Sequence, residues 1–204
     1  MTVPWQLTAA EALARLERAE ITAEALTRSL LDRIAAEEPR LSAWAFLDPE
    51  AALAEARRLD RLSPPPPLRG LPIGVKDIFD TAGMPTECGT PAFRGRRPTA
   101  DAACVAALRR AGALVLGKTV TTELAFYRPG PTRNPRDPAR TPGGSSSGSA
   151  AAVAAFMVPA AVGSQTAGST IRPASFCGAA WMKTNHRLGP LDCASPLAPS
   201  LHSV

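Results

Sequence analysis

The sequence predicts an α/β protein, and three features of the 204-residue chain point to that class. Residues 1–62 carry helical patterns, and residues 63–70 are a Pro-rich run that suits neither a helix nor an inner strand. From residue 71 onward, two short apolar runs flank a further helical pattern, the order typical of two parallel strands joined by a crossover helix. We therefore expect an N-terminal helical segment, residues 1–62, a connector, residues 63–70, and a main α/β unit, residues 71–204.

Three helices are predicted in the N-terminal segment. Thr8 and Glu11 have the spacing of a capping box, in which each side chain bonds the other residue's backbone N–H, so the first helix begins after Thr8. The second helix is predicted over residues 23–38 from apolar side chains four positions apart, with Pro39 ending it. The third begins at Asp48, which is followed by a proline suited to the first turn.

The main unit is predicted to alternate apolar strands with helices and small-residue turns. Strands are assigned to runs rich in Leu, Ile and Val, and loops to clusters of Pro, Gly or Ser. The predicted elements are a strand at 71–75, a helix at 101–111, a strand at 113–116, a loop at 128–142, a helix at 150–157, a strand at 158–162 and a turn at 163–169.

Composition and charge exclude several classes of protein. Apolar residues make up 45% and charged residues 20% of the chain, which argues against disorder. The net charge of +5 comes from dispersed arginines rather than a basic patch, so we expect no nucleic-acid partner. The longest apolar stretch, residues 150–162, is too short for a membrane span, and the N-terminus lacks a secretory pattern. The sequence thus predicts a soluble cytoplasmic protein that is not associated with a membrane.

The four cysteines show no pattern of a metal site. They form no C-x-x-C pair, and no histidines accompany them at ligand spacing. We therefore expect free, buried thiols and no bound metal.

Two short motif matches conflict with their surroundings. Residues 112–119 satisfy the P-loop expression G-x-x-x-x-G-K-[ST], but the middle residues are apolar enough to be a strand, so we do not expect nucleotide binding. Residues 144–148 satisfy the nucleophile-elbow expression G-x-S-x-G, but no strand pattern precedes them. A Ser-His-Asp hydrolase that uses Asp192 with His186 or His202 stays an alternative.

Three other segments occur in an order and spacing that suggest chemistry. They are residues 74–77, which contain Lys76, the Gly/Ser cluster of residues 143–150, and the small-residue turn of residues 163–173. The serines of interest in the last two, Ser145 and Ser169, stand 24 positions apart. Together the three segments resemble the amidase signature family over more than half of the chain. The resemblance implies a mixed sheet flanked by helices, and a hydrolase of amide bonds that uses neither a metal nor an organic cofactor.

The resemblance also implies roles for three side chains. It makes Ser169 the nucleophile, Ser145 a bridging serine that follows a cis peptide bond after Gly144, and Lys76 the base. A serine hydroxyl needs a base to remove its proton, and a lysine can be that base only when it is neutral. Because Lys76 follows the apolar run at 71–75, burial is expected to lower its pKa.

Further groups are implied around the nucleophile. The backbone N–H groups of Thr166, Ala167 and Gly168 would form the oxyanion hole. Arg172 would bind a carboxylate on the substrate through its forked guanidinium, unless it makes a structural ion pair. The string at 169–173 is most similar to the malonamidase branch, whose substrates are small acids that carry an amide.

The resemblance leaves three functions open. The main prediction is hydrolysis of a small-molecule amide through an acyl-enzyme, with a homodimer left open. The main rival is the glutaminase subunit of a tRNA-dependent amidotransferase, which uses the same triad and passes ammonia to a partner. Members of the family are much longer, so this chain is expected to stop before the C-terminal half of the fold, and an inactive truncated interaction module is the third function.

Two positions depart from the family pattern. Most members carry glycine where Ala167 stands, and alanine can replace it only if φ is not positive there. The family's Gly-apolar-Lys-Pro-[ST] segment corresponds to residues 180–185, in which Lys183 is followed by threonine rather than proline.

Overall fold

The structure, a computed structural model, describes residues 3–184 of the chain. Within that range the helices are α1 (Ala9–Glu17), α2 (Ala23–Leu41), α3 (Pro49–Asp60), α4 (Ala103–Arg110), α5 (Ser147–Ala154) and α6 (Ile171–Cys177). The strands are β1 (Trp44–Leu47), β2 (Pro72–Lys76), β3 (Leu114–Thr119) and β4 (Ala160–Val162). The predicted α/β class is therefore confirmed. None of the helices between residues 3 and 184 has the length and hydropathy needed to cross a membrane.

Two of the N-terminal helices begin at the predicted caps. The Thr8 hydroxyl accepts from the Glu11 N–H at 3.3 Å, and the Glu11 carboxylate accepts from the Thr8 N–H at 2.8 Å. At the start of α3, the Asp48 carboxylate accepts from the Ala51 N–H at 3.0 Å. Both caps satisfy N–H groups that the first turn of a helix leaves without a partner.

The predicted end of α2 at Pro39 is wrong, because the helix continues to Leu41. Pro39 removes one backbone hydrogen bond from the last turn. Leu41 is fully buried, however, and the Glu38 carboxylate accepts from the N–H groups of Ala43 and Trp44 at 3.0 Å each. These contacts hold the last turn in place in spite of the proline.

Strand β1 was not predicted, because only helices were assigned within residues 1–62. It pairs antiparallel with β3, with Trp44 opposite Thr119 and Leu47 opposite Gly117. The partner strand lies far along the chain, so the four residues of β1 carry no local sequence pattern that would predict the pairing.

The four strands form one mixed sheet in the order β1-β3-β2-β4. β2 is parallel to both β3 and β4, which confirms the predicted parallel pair. β2 and β3 extend to Lys76 and Thr119, beyond the apolar runs, because backbone pairing continues along their polar ends. The helix predicted at 101–111 and the strand predicted at 158–162 are present as α4 and β4, with shorter bounds.

A β-bulge in β3 changes the alternation of its side chains. Ile73 of β2 pairs with Val115, but the next residue, Gly74, pairs with Gly117, so Leu116 is an extra residue. Successive side chains of a strand point to opposite faces, and an extra residue shifts that alternation by one. The residues after Leu116 therefore point to the faces opposite to those that an unbroken alternation would give.

Apolar cores cover both faces of the sheet. One core joins the N-terminal helices with side chains of β3 and α5, among them Leu30 and Ala151. The other includes Val75 of β2 and Val105 of α4. Burial on both faces is typical of sheets with parallel strands. The first core draws side chains from both sides of the 63–70 connector, and the division of the chain at that connector stays a prediction.

Helix α5 begins inside the Gly/Ser cluster, earlier than the predicted start at residue 150. Every residue in it is Ser, Gly, Ala or Val. A Cβ on Gly148 would overlap the Ala43 carbonyl oxygen and the Val120 N–H. Small side chains thus let α5 pack directly against the backbone at the end of β3, and the cluster belongs to the packed structure.

Candidate active site

Lys76 lies at the end of β2 with its side chain fully buried, at 0% exposure. Its Nζ lies 2.7 Å from Ser145 Oγ and 2.9 Å from Ser164 Oγ. Burial lowers the pKa of Lys76 to about 7, and a negative charge on Cys88 would oppose that shift. A substantial fraction of the amine is consequently uncharged at neutral pH.

Ser145 is held at the entrance to α5. The peptide bond between Gly144 and Ser145 is cis, as expected, and the Ser145 carbonyl accepts from the Thr122 N–H at 3.1 Å. Gly143 has φ +79°, and a Cβ on Gly144 would lie 2.7 Å from Thr122 Cγ2. Glycine is therefore required at both positions, the first for its conformation and the second for space.

Ser164 is a residue of the site that the sequence did not identify. It follows β4, is 1% exposed, and places its hydroxyl on Lys76. The Ser146 hydroxyl accepts from the Ser164 N–H and donates to the Ser164 carbonyl, at 3.3 Å in both cases. Ser164 could have been identified from its position just past the carboxyl end of β4, because β4 lies beside β2. That inference requires the order of the strands, which the sequence does not show.

Ser169 lies in the turn before α6 and is half-buried. Its carbonyl accepts from the Ser146 N–H at 3.0 Å, which ties this turn to the start of α5. Ser169 and Ser145 line the same cleft, which has a volume of about 400 Å³. Among residues 3–184, the Ser169 hydroxyl makes no hydrogen bond, so it is not bonded to Ser145 in this structure.

The turn before Ser169 carries the amides predicted to form an oxyanion hole. Thr166 and Ala167 line the cleft, and Gly168 lies beside them. Within the described part of the chain, the N–H groups of these three residues have no hydrogen-bond acceptor. Ala167 does not have positive φ, so its methyl group is accommodated where most family members carry glycine. Gln165 has a structural role nearby, because its carboxamide oxygen accepts two N–H groups at the start of α6, each at 2.9 Å.

Arg172 borders the cleft on the side of the turn that precedes Ser169. Its guanidinium packs against Gly168, where an added Cβ would lie 3.3 Å from Nη2. Arg172 is exposed, and among the described residues it has no acidic partner. The structural ion pair that was the alternative for this residue is therefore not made within residues 3–184.

Aromatic side chains form another wall of the cleft. Phe126 and Tyr127 are 69% and 81% exposed and contact each other edge to face, with ring centroids 4.9 Å apart. Phe176 of α6 lines the same cleft and is also exposed. The cleft thus combines a cationic border with a broad apolar one.

Lys118 of β3 is a second fully buried lysine, at 0% exposure. It lies opposite Val75 and so points to the sheet face opposite to that of Lys76. Its Nζ lies 3.0 Å from the Asp77 carboxylate and donates to the Thr86 hydroxyl at 2.6 Å and to the Phe79 carbonyl at 2.9 Å. Because Lys118 lies inside β3, the P-loop-like string is not a phosphate-binding loop.

The structure also bears on the nucleophile-elbow string, the Ser-His-Asp alternative and the cysteines. Ser146, the central serine of the elbow-like string, is buried and bonded to the backbone of Ser164. The residues proposed for a Ser-His-Asp triad, His186, Asp192 and His202, lie outside the described residues, as does Cys193. Cys88, Cys104 and Cys177 are free and buried, as expected.

Comparison with known proteins identifies the family. A family model described as Amidase matches residues 25–204. The A subunit of the glutamyl-tRNA(Gln) amidotransferase of Acidothermus cellulolyticus is 46% identical over 84% of this chain and 36% of that protein. The same protein of Roseiflexus castenholzii is 43% identical over 97% of this chain and 43% of its own length.

Solved structures agree with this similarity. A crystal structure of an amidase superposes with a TM-score of 0.85 and 37% identity, over 97% of this chain and 47% of the other. The native peptide amidase of Stenotrophomonas maltophilia superposes with a TM-score of 0.76 and 38% identity, over 84% of this chain and 39% of the other. The chain spans less than half the length of each of these relatives. With a family model that matches most of its residues and a fold shared with solved amidases, the chain belongs to the Amidase family, the amidase signature enzymes.

Proposed function

We propose that this site hydrolyses a carbon–nitrogen amide bond through a Ser169–Ser145–Lys76 triad. The observation that carries the proposal is the buried Lys76 amine, whose nitrogen lies 2.7 Å from the hydroxyl of Ser145 at the edge of a cleft that also contains Ser169. An amine whose pKa is about 7 can accept a proton at neutral pH, as a general base must.

In the proposed acylation step, Ser169 Oγ attacks the amide carbonyl carbon. Its proton passes to Ser145 Oγ, which gives its own proton to the neutral Lys76 amine. The carbon–oxygen bond forms as the carbonyl π electrons move to the oxygen, which becomes an oxyanion. When the carbon–nitrogen bond breaks, the proton returns through Ser145 to the leaving nitrogen, which departs as ammonia or an amine.

In the proposed deacylation step, water attacks the acyl ester on Ser169. The same two groups take the water proton and return it to Ser169 Oγ, and the carboxylic acid leaves. The amides of Thr166, Ala167 and Gly168 stabilise the oxyanion in both steps. Loss of a single donor of this kind costs roughly 10²- to 10³-fold in rate.

Arg172 supports a substrate that carries a carboxylate near the amide. Its guanidinium borders the cleft without an acidic partner among the described residues, so a substrate carboxylate would be its ion-pair partner. Small acids with an amide, the substrates implied by the malonamidase-like string, have this chemistry. Glutamine has it as well.

A second candidate is the glutaminase role within a tRNA-dependent amidotransferase. The relatives at 46% and 43% identity are named as the A subunit of such an enzyme, which favours this candidate over a free-standing amidase. The same triad would release ammonia from glutamine, and a partner protein would consume it. For this candidate the partners are proteins that act on a charged tRNA.

Covalent labelling of the full chain tests the triad. A fluorophosphonate probe is expected to label the chain, and Ser169→Ala is expected to abolish labelling. Ser175→Ala is the matched control, because Ser175 is an exposed serine of the adjoining helix. Equal labelling of Ser169→Ala and the unchanged chain would contradict the triad, and a folded chain that never labels would favour the interaction module.

Ammonia release separates the two substrates. Malonamate and glutamine are assayed with and without candidate partner proteins. Turnover of malonamate by the chain alone supports the small-acid amidase, whereas glutamine turnover that depends on a partner supports the amidotransferase role.

Arg172→Gln is expected to raise KM roughly tenfold or more, because a lost charge-assisted hydrogen bond costs about 1.5–3 kcal/mol. An unchanged KM would remove Arg172 from substrate binding.

A further inference from the structure

Ser164 is a third hydroxyl at the site, and the proposed proton relay makes no use of it. Its Oγ lies 2.9 Å from Lys76 Nζ, on a side chain that is almost completely buried. Among the described residues, the hydroxyls of Ser145 and Ser164 are the two hydrogen-bond partners of this nitrogen.

The valence of a neutral amine explains how the second hydrogen-bond partner, Ser164, can affect the reaction. A neutral lysine nitrogen carries two hydrogens and one lone pair, and only the lone pair can take a proton from Ser145. Rotation about the Cε–Nζ bond offers three staggered positions for that lone pair. The two hydrogens, the lone pair and Cε lie at the corners of a tetrahedron around Nζ. An acceptor that binds one of the hydrogens reduces the number of orientations that the lone pair can take. We propose that Ser164 is a positioning residue that accepts an N–H from Lys76 and so directs the lone pair toward Ser145.

The backbone around Ser164 is fixed well enough for this role. The Ser146 hydroxyl bonds both the N–H and the carbonyl of Ser164. The preceding strand, β4, pairs with β2, which carries Lys76, and the Ser149 hydroxyl donates to the Val162 carbonyl at 3.0 Å. The hydroxyl and the amine are therefore held by neighbouring strands of one sheet, which limits their relative movement.

The same contact also stabilises the protonated state. After Lys76 takes a proton it has three N–H groups, and Ser164 accepts one of them in a site with little water. Removal of that acceptor therefore lowers the pKa of Lys76 further. The titratable group close to Lys76 on the opposing loop is the Cys88 thiol, whose own pKa is raised by burial, so it stays neutral near pH 7.

The inference rests on the proposed triad, and its test uses two readouts on the full chain. Fluorophosphonate labelling is followed against pH, and the Lys76 amine is titrated directly by NMR of isotope-labelled lysine. Ser164→Ala is expected to slow labelling roughly 10- to 100-fold and to move both midpoints to lower pH. Ser164→Thr, which keeps a hydroxyl, is expected to restore the rate and the midpoints.

Two further variants separate positioning from packing. Ser147→Ala removes another buried serine hydroxyl, one that donates to the Val120 carbonyl and not to Lys76, and is expected to leave both midpoints unchanged. Ser164→Cys fills the site with a slightly larger side chain that is a weaker acceptor, so it is expected to behave like Ser164→Ala even if the alanine variant does not fold.

Two outcomes would overturn the inference while leaving the triad intact. One is a folded Ser164→Ala or Ser164→Cys variant with the labelling rate and midpoints of the unchanged chain. The other is a folded Ser164→Thr variant that fails to recover them. Labelling that survives Ser169→Ala would overturn the triad instead. The NMR titration reports the contact between Ser164 and Lys76 in either case.

Discussion

Lys76 and Lys118 stand on neighbouring parallel strands, both fully buried, yet their surroundings differ in one respect. Lys118 has the Asp77 carboxylate at 3.0 Å and neutral oxygens from Phe79 and Thr86. Lys76 has two serine hydroxyls and no carboxylate partner among the described residues. Burial alone therefore does not determine the charge state of a lysine, because the acceptors around its nitrogen differ.

The two environments suit different protonation states. An ammonium has three N–H groups, and the oxygens around Lys118 match them and include a negative charge. Burial lowers the pKa of Lys118, and the Asp77 carboxylate opposes that change. At Lys76 no carboxylate of residues 3–184 opposes the effect of burial, and the pKa falls to about 7. The environment of Lys118 thus suits a structural cation, and that of Lys76 suits the proton acceptor that we propose.

The largest expected effect comes from removal of Lys76. Lys76→Ala should reduce the rate of ammonia release roughly 10²- to 10⁴-fold, because the general base is lost. Lys183→Ala is the control, since Lys183 is exposed and does not line the cleft that contains Ser145 and Ser169. Turnover of Lys76→Ala near that of the unchanged chain at pH 7 would show that Lys76 is not the base.

Removal of Lys118 should lower the free energy of unfolding. Lys118→Ala leaves the Asp77 carboxylate buried without its cation, which costs about 3–5 kcal/mol of unfolding free energy. Denaturant titration measures the loss, and the double variant Lys118→Met with Asp77→Asn should recover much of it. If Lys118→Ala were as stable as the unchanged chain, the Asp77 carboxylate would have to be in contact with water rather than buried.

The pH dependence of the reaction should follow Lys76. Because the neutral amine is the reactive form, labelling of Ser169 should rise about tenfold per pH unit below about pH 7 and level off above it. The Asp77→Asn variant removes the carboxylate beside Lys118, on the sheet face opposite to that of Lys76, and should keep the same midpoint if it folds. A midpoint near 10 would mean that Lys76 keeps its ordinary pKa.

The free energy of unfolding should also depend on pH through Lys76. The pKa of Lys76 is lower in the folded state than its ordinary value of 10.5, so the unfolded chain binds more protons between about pH 7 and 10.5. Stability from this group therefore rises with pH in that window, by up to about 1.4 kcal/mol per pH unit. Lys76→Met should lose that slope, which paired denaturant titrations of both proteins can measure. Equal slopes would contradict the assigned shift.

The sequence reveals the parts of this molecule that depend on neighbouring residues. The caps at Thr8 and Asp48 were predictable because each bonds within four residues, and the parallel pair followed from two apolar runs. The resemblance supplied Lys76, Ser145 and Ser169 through their motifs, although their roles remain proposals.

The parts that could not be predicted depend on distant partners. β1 pairs with a strand some 70 positions away, and Ser164 reaches Lys76 across 88 positions. The extension of α2 past Pro39 depends on the burial of Leu41. None of these contacts has a local pattern, because the energy that favours each one comes from a segment elsewhere in the chain.

The extra residue at Leu116 decides which side of the sheet receives the second lysine. If Leu116 paired with Gly74 and the pleat continued without a bulge, Lys118 would lie opposite Lys76 and point to the same face. The ammonium of Lys118 would then compete with Lys76 for the serine hydroxyls, and Asp77 would lose its counter-ion. One irregular pairing in β3 therefore keeps the two amines on separate faces.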